Sequence, residues 1–221
     1  MKLLLNALTK FLSGILLVGS CLFFSAGNLS YANAWLLIAL LFCPIFILGV
    51  FLFFKNPELL KKRLNNKEKE KTQKYVVLFS GILFVGGFII AGLDYRFGWS
   101  HIPTWLTIIA SFSLLISYIL YAEVLRENTF LSRTIEVQEN QTVIDSGLYQ
   151  IVRHPMYTST LFLFFSIPIV LGSWWSFLCF FPYLIILIVR IQNEEKILTA
   201  ELQGYSEYKK RVKYRLLPFI W

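Results

Sequence analysis

Histidine occurs only twice in this 221-residue chain, at His101 and His154, and cysteine three times, at Cys21, Cys43 and Cys179. The cysteines form no Cys-x-x-Cys pair, and all lie inside apolar runs. This scarcity argues against a protein-built zinc or iron site and against a disulfide framework. The three cysteines read as free, buried thiols acting as small hydrophobes. Charge is sparse as well: Asp, Glu, Lys and Arg make up 15% of the residues, against 57% hydrophobic and 17% aromatic. With a mean hydropathy of +0.62, that balance excludes a soluble domain and points to an integral membrane protein. No internal repeat is evident. The apolar runs 79–93 and 161–170 contain no ionisable residue, which argues against a transporter or channel, where mid-span charges line the path.

What is present is a series of apolar runs near the roughly 20 residues that cross a bilayer core. Candidate spans are 12–26, 34–54, 75–93, 105–124, 158–171 and 174–189. The predicted fold is therefore an all-α integral membrane protein of about six transmembrane helices. The net charge of +8 raises nucleic-acid binding, but the cations are all juxtamembrane. They crowd 55–74 (Lys55, Lys61, Lys62, Arg63, Lys67, Lys69, Lys71, Lys74), 126–153 (Arg126, Arg133, Arg153) and the tail from Arg190 onward. The alternate connections carry only Arg96 or none. This alternation follows the positive-inside bias, places both termini in the cytoplasm and leaves nucleic acid without a role.

The start of the chain reads in two ways. Lys2, a Leu-rich run and Ala32-Asn33-Ala34 resemble a secretory signal with a cleavage site. Lys10 between two apolar stretches fits that pattern poorly, and a retained first helix is the favoured reading. Gly172-Ser173 beside Trp174-Trp175 predicts a tight interfacial turn, with Pro168 and Pro182 as kink points. Asn56-Pro57-Glu58-Leu59-Leu60 opens either a short amphipathic interfacial helix or a solvated connector. Mixed apolar and polar residues in 126–153 predict an ordered loop with short extended pieces. The chain divides into 1–125, with four spans and the basic loop 55–74, and 126–221, with the hairpin 158–189 and a tail.

Two polar clusters flank that hairpin. In 147–157, Arg153-His154-Pro155 precedes a helix start, because proline is favoured in the first turn. The amides of Met156, Tyr157 and Thr158 are then expected to face an anion, supported by the Arg153 fork. In 190–198, Arg190, Glu194 and Leu198 share one helical face, with Glu195 about 100° round from Glu194. The bland alternatives are a snorkelling Arg with an interfacial Tyr and a surface Arg–Glu pair. Brought to one membrane edge by the short turn, the clusters present an anion-binding and a cation-binding end, as an amino acid moiety requires.

The order Gly147-x-Tyr149-x-x-x-Arg153-His154-Pro155-x-Tyr157, apolar hairpin, Glu194-Glu195-x-x-Leu198, Gly204-Tyr205-x-x-Tyr208 resembles the isoprenylcysteine carboxyl methyltransferase family. That family sits within the wider group of membrane-embedded phospholipid-type methyltransferases. The resemblance covers 141–218, and the segments around Asn56, Asp94 and Glu127 look like bacterial-type members, which favours a bacterial inner membrane over an endoplasmic reticulum membrane. It implies S-adenosylmethionine bound by the C-terminal half in a cytoplasmic pocket. Val143, Gly147, Leu148 and Tyr149 would line the adenosine, Arg153, His154, Pro155 and Tyr157 the methionine portion, and Glu194 or Glu195 would face its ammonium. Arg190 would lie near a lipidic or prenylated acceptor. A carboxylate acceptor needs no base, whereas a lipid amine makes Glu195 or His154 a base candidate. Ser159 stands where the family usually has Gly. Membrane sterol reductases share a similar C-terminal architecture, so a nicotinamide cofactor is a rival reading, as is a non-catalytic scaffold.

Overall fold

The computed structural model describes residues 2–65, 71–132 and 134–221. Lys67, Lys69 and Arg133, counted above among the juxtamembrane cations, lie outside them. Regular structure among the described residues is helical throughout: α1 (Lys2–Ala26), α2 (Ala32–Lys55), α3 (Pro57–Leu64), α4 (Lys71–Phe97), α5 (Thr104–Glu127), a 3-10 turn (Gly147–Gln150), α6 (Pro155–Leu171), α7 (Trp174–Phe180), α8 (Tyr183–Glu201) and α9 (Tyr205–Arg211). Among the described residues, five stretches are long and apolar enough to span a membrane, namely α1, α2, α4, α5 and the continuous Trp174–Glu201. The sixth expected span, α6, has 17 residues, a length of about 26 Å against a hydrocarbon core of roughly 30 Å. The protein is a multi-pass, all-α membrane protein.

Local signals explain most helix boundaries. The Asn56 side chain accepts from Leu59 N at 3.1 Å and Pro57 occupies the first position, so α3 is a capped helix with Leu59 and Leu60 buried rather than a solvated connector. Pro155 opens α6, and Gly172 closes it in the left-handed region at φ 81°. Ser173 then caps α7 by accepting from Ser176 N at 3.0 Å. Pro182, which has no N–H for the ladder, marks the break between α7 and α8.

One expectation is sharpened and one corrected. The short extended pieces foreseen in 126–153, among them Asn128 and Ser146, do not pair into a sheet. No strand occurs among the described residues, and backbone groups of this loop bond to side chains instead, as in Phe130 N to Asn128 Oδ1 (3.0 Å) and Gln138 N to Gln141 Oε1 (2.8 Å). The cysteines are free but not all buried: Cys43 is exposed on α2, and Cys21 and Cys179 are half-buried. Lys10 is accommodated because α1 begins well before residue 12, and its ammonium donates to the Leu64 carbonyl at the end of α3. Val18, Leu22 and Ala26 of α1 are buried in the bundle, against α2 and α4.

Leu16, Phe24, Phe54, Ile119 and Ile185 project from the outside of the bundle, a surface suited to lipid. Inside, Leu22, Leu37, Leu114, Val170 and Phe180 form the central core. Lipid tails are as apolar as Leu, so helix association here depends on close packing and hydrogen bonds. A Cβ on Gly92 would lie 1.9 Å from Ser25 Oγ and 2.6 Å from the Leu22 carbonyl, so α1 and α4 meet backbone to backbone. Tyr118 donates to Leu41 O on α2 (2.9 Å), and Ser176 to Gly87 O on α4 (2.9 Å).

The two ends of the bundle differ in chemistry. At one, the buried Asp94 carboxylate accepts from Ser100 N (2.8 Å) and from the hydroxyls of Ser100 and Ser173. This ties α4 to the turn before α7 with every donor matched. The other end gathers α3, the loop after α5, the 3-10 turn, the start of α6, the end of α8 and the C-terminal tail.

Candidate functional site

The two polar clusters meet at this second end, as their spacing predicts. Tyr157, near the start of α6, donates its hydroxyl to Glu194 Oε2 on α8 at 2.5 Å. Arg190, one helical turn before Glu194, donates Nε to the same hydroxyl at 2.9 Å and Nη1 to Gln73 Oε1 of α4 at 2.8 Å. Tyr157 therefore relays between a cation and a carboxylate that both line one cavity. Leu198 on the same face lines it too.

Glu195, the next residue, points elsewhere. Its carboxylate receives Arg153 Nε (2.7 Å) and His154 Nε2 (3.3 Å) at Oε1, and Arg215 Nε (2.9 Å) at Oε2. It is 4% exposed and is absent from the cavity wall. Arg153 also donates Nη1 to Val212 O (2.7 Å) and Lys213 O (2.9 Å). The backbone continues this lacing: Arg153 N donates to Tyr214 O and His154 N to Arg215 O, both at 2.9 Å, and Thr158 Oγ1 donates to Leu216 O at 2.7 Å. The Arg-His-Pro segment thus clamps the C-terminal tail, with Glu195 as its charged hub.

The loop side is held by Glu127 at the end of α5. Its carboxylate accepts from Leu148 N at 3.1 Å. Gly147 has φ 50°, and a Cβ there would fall 1.5 Å from Glu127 Oε1, so only glycine fits. Tyr149 is fixed at both ends, its hydroxyl accepting from Asn128 Nδ2 (2.9 Å) and its carbonyl from Tyr208 OH (2.8 Å).

These elements line a cavity of about 100 Å³. Of the residues singled out from sequence, Val143, Tyr149, Arg153, His154, Tyr157, Arg190 and Glu194 line it. Gly147, Leu148, Pro155 and Glu195 do not, and serve its frame. The helix-start amides of Tyr157 and Thr158 both bond to the His154 carbonyl, so they are not turned to an anion as foreseen. Ser159 is buried, and its hydroxyl folds back onto Met156 O at 2.8 Å, so it occupies the family's glycine position without reaching out.

The sequence marks no role for Asn128, Thr134 or Glu136, nor for the Met156 side chain, which also line the cavity. They lie on an irregular loop or beside the motif, where no periodicity marks them. Tyr205 and Tyr208 were visible as a Tyr-x-x-Tyr pair, yet only the fold turns both inward. The Tyr205 hydroxyl is buried without a hydrogen-bond partner among the described residues while its side chain lines the cavity. Burial, with the charges of Glu195 and Glu194 adding to it, pushes this phenol above its ordinary value, so it stays a neutral donor.

Residues 101–205 match the family model described as phospholipid methyltransferase. The matched stretch holds α5 through α8 and the greater part of the cavity wall, and it ends at the orphaned Tyr205. A comparison with curated proteins found no match.

Proposed function

We propose that this chain, a membrane methyltransferase of the phospholipid methyltransferase family by its residues 101–205, uses S-adenosylmethionine and methylates a lipidic acceptor, in the first place on a carboxylate. The relay Arg190–Tyr157–Glu194 carries this reading, because it sets a cation and a carboxylate in the wall of one cavity. That pairing suits a ligand with a carboxylate and an ammonium at one end. The buried hydroxyl of Tyr205 supports the fit, since an unmatched buried donor costs about 1–3 kcal/mol and a ligand acceptor would relieve it. Tyr149, Phe130 and Tyr208 supply aromatic surface for a purine. Glu194 would take the ammonium, and Arg153 and His154 would face the carboxylate side.

When bound, the cofactor supplies a methyl group on a cationic sulfur, which bonds to an acceptor lone pair as the carbon–sulfur bond breaks and a neutral thioether leaves. A carboxylate acceptor becomes a neutral ester and releases no proton. The protein's residues are arranged in keeping with that chemistry. His154 and Glu195, the two base candidates, face each other, and Glu195 is also held by Arg153 and Arg215. What remains for the protein is positioning and exclusion of water, which lowers barriers by about 7–11 kcal/mol in favourable cases. The tail laced over Arg153 closes the site, and Tyr149 is locked at both ends. The membrane edge bearing the site collects the cationic segments, which supports a cytoplasmic orientation.

Calorimetric titration of the detergent-solubilised protein with S-adenosylhomocysteine tests the reading. Micromolar binding that weakens about tenfold or more in Glu194→Gln is the expected result. No binding by the wild-type protein, or preferential binding of a nicotinamide dinucleotide, overturns it.

A further inference from the structure

A second, larger cavity of about 660 Å³ lies between α2, α4, α5 and α6. Its wall is almost wholly apolar, with Leu41, Leu52, Phe88, Leu163 and Ile167 among its residues. Four of its hydroxyls are bonded within the protein: Ser117 to Leu114 O (2.6 Å), Tyr118 to Leu41 O (2.9 Å), and Ser159 and Thr160 both to Met156 O (2.8 Å). Such a lining suits hydrocarbon.

One charged side chain belongs to that wall, Arg63 of α3. Its Nη1 donates to Ser132 O at 2.8 Å and lies 3.9 Å from Met156 Sδ, while the guanidinium sits over the Tyr121 ring at 5.4 Å. Ser132 and Met156 line the first cavity, so Arg63 stands at the partition between the two. Arg63 is half-buried as a residue, and no carboxylate comes within ion-pair distance of its guanidinium among the described residues. A cation beside hydrocarbon is costly without an anion, and the guanidinium fork matches carboxylate and phosphate groups.

We propose that Arg63 anchors the anionic group of an amphiphile whose hydrocarbon chain fills the second cavity, so that a carboxylate or phosphate is presented at the wall of the first. That this amphiphile is the methyl acceptor rests on the function proposed above; that it binds here does not. Two observations select this occupant. The cavity adjoins the candidate site where Arg63 Nη1 lies 3.9 Å from Met156 Sδ, and the one charged side chain in its wall among the described residues is that cation. The arrangement makes Arg63 a specificity-determining residue that favours anionic amphiphiles over neutral or cationic ones.

Photocrosslinking in dodecylmaltoside tests this with three long-chain diazirine probes: an alkyl carboxylate, an alkyl phosphate and the methyl ester of the carboxylate. Crosslinked peptides are mapped by mass spectrometry. The wild-type protein is expected to crosslink an anionic probe to α2 and α6 residues of the cavity about tenfold more than the ester. Comparison of carboxylate and phosphate shows which anion is preferred. Arg63→Gln should abolish that preference, Arg63→Lys should keep part of it, and S-adenosylhomocysteine binding should survive in both. Equal labelling by the ester and both anions in the wild-type protein overturns the proposal, and this result does not depend on how the variants fold. Loss of S-adenosylhomocysteine binding in a folded Arg63→Gln also overturns it, by moving Arg63 to the cofactor cavity. If the wild-type protein binds no S-adenosylhomocysteine but still prefers the anionic probes, the anion site stands and the methyltransferase chemistry falls.

Discussion

Arg215 brings its Nε to 2.9 Å from Oε2 of Glu195, and so joins the C-terminal tail to the inner face of α8. The opposite oxygen of the same carboxylate holds Arg153 at 2.7 Å. One buried acid therefore holds the loop before α6 and the tail after α9 together, and the cavity wall depends on both.

Removing one partner of a buried ion pair leaves an uncompensated charge and costs about 3–5 kcal/mol. Glu195→Ala strands Arg153 and is expected to lower the thermal midpoint in detergent by more than Arg215→Ala does, because the Arg215 side chain is 30% exposed. Differential scanning fluorimetry of the two variants gives the order. Equal midpoints would show that Glu195 is not the hub.

Tyr205→Phe should move stability and affinity in opposite directions. The hydroxyl it removes is buried and unmatched among the described residues, so the variant unfolds at the same temperature as the wild type or a higher one. S-adenosylhomocysteine affinity should fall by about two- to tenfold, the effect of one neutral hydrogen bond. A parallel loss of stability and affinity would instead indicate a packing role.

Gly147→Ala should disable the cavity through Glu127. The new Cβ meets that carboxylate at 1.5 Å on a backbone already at φ 50°, a region costing an L-residue roughly 1–2 kcal/mol. Binding measured by calorimetry is expected to be lost in Gly147→Ala and partly regained in Gly147→Ala/Glu127→Ala, where the clash is gone but the strain stays. No recovery in the double variant would mean that the backbone conformation alone decides the effect.

Much of the architecture is legible along the chain because its signals are local. Apolar runs mark the spans, Asn56-Pro57 starts α3, Pro155 starts α6, and Gly172-Ser173 turns the hairpin. The meeting of Tyr157 with Glu194 was foreseeable too, since a short turn returns α7 and α8 to the level where α6 began. Other features carry no local mark. The bonds from Arg153 to Val212 and Lys213 join residues far apart in sequence, and neither partner signals the other. The loop residues Thr134 and Glu136 enter the cavity wall without any periodicity to announce them. Arg63 reads as one cation of a basic run until α3 is folded against Ser132 and Met156.

The pair Glu194-Glu195 divides the two kinds of information. The residue pattern along the chain specifies a membrane bundle with a carboxylate pair following an Arg by one helical turn, at the level of the Arg-His-Pro segment. It left either carboxylate to face the ligand. Neighbouring residues on a helix point about 100° apart, and the rotation of α8 about its own axis follows from what packs around it. Only the tertiary structure turned Glu194 to the cavity through Tyr157 and buried Glu195 among Arg153, His154 and Arg215, because those partners come from segments distant in the chain.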